Sequence, residues 1–121
     1  TFLLVRSQIR YDRAVFELGQ NRDPMKALEQ AEADCNQALR DHPRDAASYR
    51  IRGGIRLTCG LYLKDVAHDA PGVRIHFVDG VKDFEQVILL DPSQESSLSK
   101  VLRQGRKAAG LDLPSEVPQK Q

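Results

Sequence analysis

The sequence predicts an all-α fold of stacked helical hairpins. Two stretches, 35–43 and 84–92, end alike: each has an apolar pattern at helical spacing, and each is stopped by a proline. Aromatic residues make up 6% of the 121 residues and tryptophan is absent, which argues against a β-sandwich. An internal repeat of this kind is typical of helix pairs that stack and bury their apolar faces against one another.

The first half of the chain predicts three helices. The first covers about 2–18, where apolar residues recur at helical spacing. The second covers about 24–40, with Asp23–Pro24 as its start and His42–Pro43 as its stop. Asp45 is expected to cap the third helix, because an aspartate just before an apolar-periodic segment is a common helix start.

The second half leaves one choice open, at residues 73–78. As a helix, they continue an apolar stripe as far as Ile88; as a strand, they alternate apolar and polar residues before the turn signal Asp79–Gly80. We favour the helix, because a lone strand would have no partner elsewhere in the chain. A closing helix is expected over about 94–109, with Gly110 as its C-terminal cap.

Small residues and a terminal proline recur at corresponding positions of two helix pairs. The corresponding residues are Val15, Gly19, Ala31, Ala38 and Pro43 in the first pair, and Tyr49, Gly53, Gly80, Val87 and Pro92 in the second. This pattern resembles the tetratricopeptide repeat, a helix-turn-helix unit of about 34 residues. The resemblance implies about two repeats plus a C-terminal capping helix, with close helix crossings at the small residues.

The second repeat is enlarged. Pro43 and Pro92 lie 49 positions apart, so the second hairpin carries about 15 residues more than the repeat length. We place this enlargement at 61–78. It is expected to serve either as a second contact surface or dimer element, or as a cap on a short stack.

The helical domain is expected to cover 1–110, and 111–121, with two prolines and no periodicity, to form a flexible tail. The chain begins at Thr1 without an initiator methionine, which indicates a domain of a longer protein or a processed form. The apolar cluster Phe2–Val5 needs cover, from this domain's own core, from a neighbouring domain or from a dimer partner.

The resemblance implies a non-catalytic module that binds a protein partner in a groove lined by the first helix of each repeat. We expect a partner segment carrying carboxylates, held by arginines above an apolar floor. The alternative is that the arginine stripe is only a solvated helix face. The expected partner-binding residues are Arg6, Arg10, Arg13, Glu17, Gln20, Arg50, Ile51, Gly54, Leu57, Thr58, Leu98 and Val101.

The distribution of charged residues along the chain also supports a partner-binding groove lined by arginines. The net charge is only +1, but the first helices are rich in arginine and the second helices in acidic residues. A basic groove and an acidic outer surface are therefore expected. Departures from the repeat pattern occur at Arg22, Arg52 and Arg56, where the family favours leucine or an aromatic residue. Nucleic-acid binding through the arginine stripe is the rival function, although no stacking aromatics interleave with the arginines.

No catalytic residue, cofactor or metal site is expected. Asp65, His68, Asp69 and His76 include zinc-ligand types, but their spacing matches no known zinc motif. Cys35 and Cys59 each stand among apolar residues, so both are expected to be buried thiols in a reducing compartment such as the cytoplasm. The sequence contains no apolar run of about 18 residues that could span a membrane.

Overall fold

The computed structural model describes residues 2–68 and 70–111, and these residues form α-helices with no strand among them. The helices are α1 (Phe2–Gly19), α2 (Met25–Asp41), α3 (Ala46–Tyr62), α4 (Ala70–Leu90) and α5 (Glu95–Ala109). A π-helical turn, Leu63–Ala67, follows α3, and a 3₁₀ turn, Pro92–Gln94, precedes α5. The all-α class is therefore confirmed. The expected tail lies, from residue 112 onward, outside the described residues.

Short polar side chains and left-handed residues set the helix ends. The Asp23 carboxylate accepts a hydrogen bond from the Met25 backbone N–H at 2.9 Å, and that of Asp45 accepts one from Ala47 at 3.3 Å. Asn21 and Gly110, with φ of 60° and 73°, follow the ends of α1 and α5, where the left-handed conformation satisfies the last carbonyls.

Residues 73–78 lie within α4, so the helical interpretation is confirmed. The residues of this helix that point inward, Phe77, Val81, Phe84 and Val87, are at most 5% exposed. They join the buried Leu57 of α3 and Leu98, Leu102 and Ala109 of α5 in one core cluster. A second cluster joins Ala14 of α1 to Leu28, Ala31 and Cys35 of α2 and to Ile55 and Cys59 of α3. Helix α3 therefore contributes to both halves of the core.

Helices α3 and α4 approach closely at two glycines. A Cβ on Gly80 would lie 2.8 Å from Leu57 Cδ2 and 3.2 Å from the Gly53 carbonyl oxygen, and a Cβ on Gly53 would lie 3.0 Å from the Phe84 ring. The expectation of close crossing at small residues is therefore met at both positions. It is wrong at Gly19, where a Cβ would meet nothing within 4 Å.

The enlarged region 61–78 adds length to the second hairpin. Its described residues, 61–68 and 70–78, complete α3, form the π-helical turn and begin α4. The turn ends at His68, whose φ of 58° places it in the left-handed region.

Candidate functional site

Residues of α1, α3, α4 and α5 line a groove of about 290 Å³. The lining residues are Tyr11 of α1, Gly54, Leu57, Thr58 and Leu61 of α3, Phe77 of α4, and Val101, Gln104, Gly105 and Ala108 of α5. We call this site the central groove. The structure thus brings together four of the expected partner-binding residues, Gly54, Leu57, Thr58 and Val101. Sequence reasoning missed Gln104 and Ala108, although they continue the Val101 side of α5 at helical spacing.

The lining of the central groove contains no lysine, arginine, histidine, aspartate or glutamate. Two of its polar groups satisfy each other. The Thr58 hydroxyl donates to the Gly54 carbonyl at 2.9 Å, so the Tyr11 hydroxyl, 2.9 Å from Thr58 Oγ1, donates to Thr58. The groove is therefore an uncharged surface whose hydroxyls are already engaged, which suits an apolar ligand.

Gly54 keeps the floor of the central groove open. It lies in the interior of α3, where glycine costs about 0.5–1 kcal/mol relative to alanine. A Cβ at this position would meet nothing within 4 Å, in contrast to the neighbouring Gly53. Packing inside the molecule therefore does not require glycine at Gly54, and the space it leaves opens into the groove.

Two of the expected binding arginines point toward α2 and lie outside the central groove. Arg6 Nη2 lies 2.7 Å from Asp34 Oδ1, and Arg10 Nη1 lies 3.0 Å from Asp34 Oδ2. Asp34 is only 3% exposed, so the two guanidinium groups neutralise a buried carboxylate. The expectation that they line the groove is corrected, because their charge is used within the protein.

Arg13 and Glu17 lie along a different groove, between α1 and α2, of about 530 Å³. Glu17 accepts hydrogen bonds from Arg22 at 3.0 Å and from Arg13 at 3.2 Å. These bonds, with that of Arg22 the stronger contribution, hold the pKa of Glu17 below its usual value. Gln20 is exposed just beyond the end of α1. None of the three lines the central groove.

The remaining expected residues have mixed positions. Arg50 is exposed on α3 and hydrogen-bonds the side chain of Gln94. Ile51 is half-buried against the cluster of α1, α2 and α3. Leu98 is 2% exposed and belongs to the other core cluster, so the expectation that it contacts a partner is corrected to a core role.

The structure also contains a buried charge network that sequence reasoning missed. Arg52 donates to both oxygens of Asp83, at 3.0 and 2.8 Å, and to Asn36 Oδ1 at 2.9 Å. Arg56 donates to Asp83 at 3.0 Å and to Glu32 at 2.9 Å.

Asp83, at 3% exposure, is buried like Asp34. The expected separation of a basic groove from an acidic outer surface is therefore wrong, because arginines of the first helices pair with acids of the second. One feature of the sequence could have predicted this network. Arg52 and Arg56 are spaced by one helical turn, at positions where the resembling family has leucine or an aromatic residue.

Both cysteines are buried and unbonded to each other, as expected. Burial raises the pKa of both thiols, that of Cys59 to about 12. Thiols with such pKa values are protonated at neutral pH and are poor nucleophiles.

Within 2–68 and 70–111, no group of three or more histidines, cysteines or acids is placed to hold a metal ion. Asp69 lies outside the described residues. No helix in this part of the chain combines the length and the apolar composition needed to cross a membrane.

The fold and the site together define an all-α protein of helical hairpins, with an uncharged groove across α1, α3 and α5. No family model, no curated protein and no solved structure matches the chain.

Proposed function

We propose that this protein is a non-catalytic interaction module, an adaptor or scaffold that binds an apolar segment of a partner protein in the central groove. The observation that carries the proposal is the uncharged lining with an open floor at Gly54. The resemblance to the tetratricopeptide repeat supports it, since the first helices of that family's repeats line the binding groove.

The size and chemistry of the central groove favour apolar side chains of a docked segment. Its volume of about 290 Å³ is at the lower end of the range for small-molecule sites. Carboxylate recognition has less support than the sequence suggested, because Arg6 and Arg10 are paired with Asp34. Arg50, one turn before Gly54 on α3, donates a hydrogen bond to the neutral side chain of Gln94, so its charge is not neutralised by that contact.

The test is a substitution that places a leucine side chain in the central groove. Twelve-residue peptides displayed on phage are selected against the wild-type protein, and their dissociation constants are then measured for wild type and Gly54→Leu. We expect peptides rich in apolar residues, and a loss of affinity of about tenfold or more in Gly54→Leu, because the new side chain occupies the space of a buried ligand group.

Gly19→Leu is the matched control. It makes the same substitution at a glycine that also has nothing within 4 Å of its Cβ position, but Gly19 does not line the central groove. Its affinity should equal that of wild type. Selected peptides that bind Gly54→Leu as tightly as wild type would contradict the proposed function.

A further inference from the structure

Helix α1 has a second apolar face, opposite the one it buries. Its inward side includes Ser7 and Ala14, which are fully buried. Four large apolar side chains share the other side, because positions i, i+3, i+7 and i+14 fall together on a helix. These residues are Phe2, Val5, Ile9 and Phe16, exposed by 72, 59, 62 and 58%. We call them the outer face of α1.

This outer face adjoins the groove between α1 and α2, since Ile9 belongs to both. The other residues lining the α1–α2 groove are Arg10, Arg13, Glu17, Arg22, Asp23, Lys26, Ala27 and Gln30. Arg10 is paired with the buried Asp34, so three cationic side chains, Arg13, Arg22 and Lys26, remain beside the carboxylates of Glu17 and Asp23, an excess of one positive charge. Arg13 is 72% exposed, and Lys26 makes no ion pair with any described residue. An apolar strip thus lies beside a basic one.

We propose that the outer face of α1 and the α1–α2 groove form one docking surface for an acidic amphipathic helix of a partner protein. The apolar ridge of that helix lies on Phe2, Val5, Ile9 and Phe16, and a row of aspartates or glutamates lies along the basic groove. The strip from Phe2 to Phe16 is about 21 Å long at the helical rise, which matches four turns of a docked helix. This surface is separate from the central groove and does not depend on the proposed function.

Charge and area disfavour a second copy of this chain as the occupant. A two-fold axis perpendicular to α1 would bring the two basic strips together, and like charges across an interface weaken binding. The four side chains expose on the order of 400–500 Å² of apolar surface, roughly half of the ~800 Å² that each partner buries in a stable complex.

Nucleic acid is also disfavoured. The centre of the outer face consists of Val5 and Ile9, whose aliphatic side chains offer no plane on which a base could stack. A phosphate backbone along the basic strip would leave this apolar centre uncovered or would itself be desolvated against it. A peptide helix covers both strips at once.

The test uses two synthetic helical peptides of about 18 residues with the same leucine ridge at i, i+3, i+7 and i+14. One carries glutamates along one flank and the other carries lysines there. Binding is measured by fluorescence anisotropy at about 0.1 M salt. We expect the glutamate peptide to bind at least about tenfold more tightly than the lysine peptide.

Four variants locate the site. Ile9→Ser and Arg13→Glu should each weaken binding of the glutamate peptide by about tenfold. Leu89→Ser is the matched control for Ile9→Ser, since Leu89 is 75% exposed on α4, and it should leave binding unchanged. Gly54→Leu should also leave it unchanged, which separates this surface from the central groove. The two substituted positions on α1 are exposed, and circular dichroism and thermal unfolding verify that each variant is folded.

Three results would overturn the proposal. The first is equal affinity for the two peptides, or binding that Ile9→Ser does not weaken. The second is a dimer of the wild-type protein, seen by sedimentation, that Ile9→Ser converts to a monomer, because a second copy then occupies the outer face. The third is competition by an oligouridylate whose affinity falls steeply with salt, which would indicate nucleic-acid binding at the basic strip.

Discussion

Replacing Gly80 with alanine should destabilise the protein, although alanine is the better helix former. The new Cβ would lie 2.8 Å from Leu57 Cδ2 and 3.2 Å from the Gly53 carbonyl oxygen. The end of the leucine side chain can rotate away, but a backbone carbonyl cannot, so α3 and α4 must separate. Overpacking of this kind costs about 1–3 kcal/mol. The higher helix propensity of alanine than of glycine offsets about 0.5–1 kcal/mol of this cost. With the middle of each range, we expect a net loss of about 1 kcal/mol in the free energy of unfolding.

Gly54→Ala is the matched control, with the opposite expected sign. Gly54 and Gly80 both lie in helix interiors, so the change in helix propensity is the same. A Cβ on Gly54 meets nothing within 4 Å, and only the propensity gain of about 0.5–1 kcal/mol remains. The two variants should therefore lie on opposite sides of wild type.

Urea unfolding followed by circular dichroism measures both variants. The urea midpoint should fall in Gly80→Ala and rise in Gly54→Ala. The slope of the unfolding free energy against urea concentration should equal that of wild type in both variants. A Gly80→Ala protein as stable as wild type would refute the close approach of α3 and α4 at this point. A destabilised Gly54→Ala protein would refute the open floor of the central groove.

Two further predictions concern buried groups. Asp83→Asn should lower the free energy of unfolding by about 3 kcal/mol, because it leaves the partly buried guanidinium of Arg52 without a carboxylate partner and Arg56 with Glu32 alone. Glu85→Gln, which removes an exposed ion pair with Arg106, should cost less than about 1 kcal/mol. Equal urea midpoints for the two variants would contradict the difference. Both thiols should resist Ellman's reagent at pH 8 until the chain unfolds, and rapid labelling of the native protein would contradict their burial. Because the pKa of Cys59 rises from 9.0 to about 12 on folding, the unfolded thiol loses its proton first. Stability should therefore fall between pH 9 and 12 by up to about 1.4 kcal/mol per pH unit, a decline that Cys59→Ala should reduce.

Local chemistry made the helices predictable from sequence. Asp45 and Gly110 cap the helix ends they were expected to cap, because capping depends on residues within one turn. The N-cap of α2 is Pro24, one residue after the expected Asp23. Periodicity left residues 73–78 open between helix and strand, and the lack of a partner strand favoured the helix that the structure contains.

The directions of the α1 side chains were not predictable in the same way. Periodicity shows which residues share a side of a helix, but α1 is apolar on two sides, and only the tertiary packing determines which side is covered. The arginine stripe was therefore placed on the groove, whereas Arg6 and Arg10 pair with Asp34 of α2. The groove residues Gly54, Leu57 and Thr58 were found because they lie on the first helix of the second expected repeat, and Val101 was found because the closing helix was expected to face them.

The charge network around Asp83 constrains how the second hairpin can be assembled. Arg52 and Arg56 reach Asn36 and Glu32 on one neighbouring helix and Asp83 on the other, so three helices meet at one set of bonds. Sliding α4 by a single turn, about 5.4 Å, would withdraw the carboxylate from both guanidinium groups, and it would also move Gly80 away from its close approach to Leu57 and Gly53. The charge network and the glycine contacts therefore both select one alignment of α3 and α4.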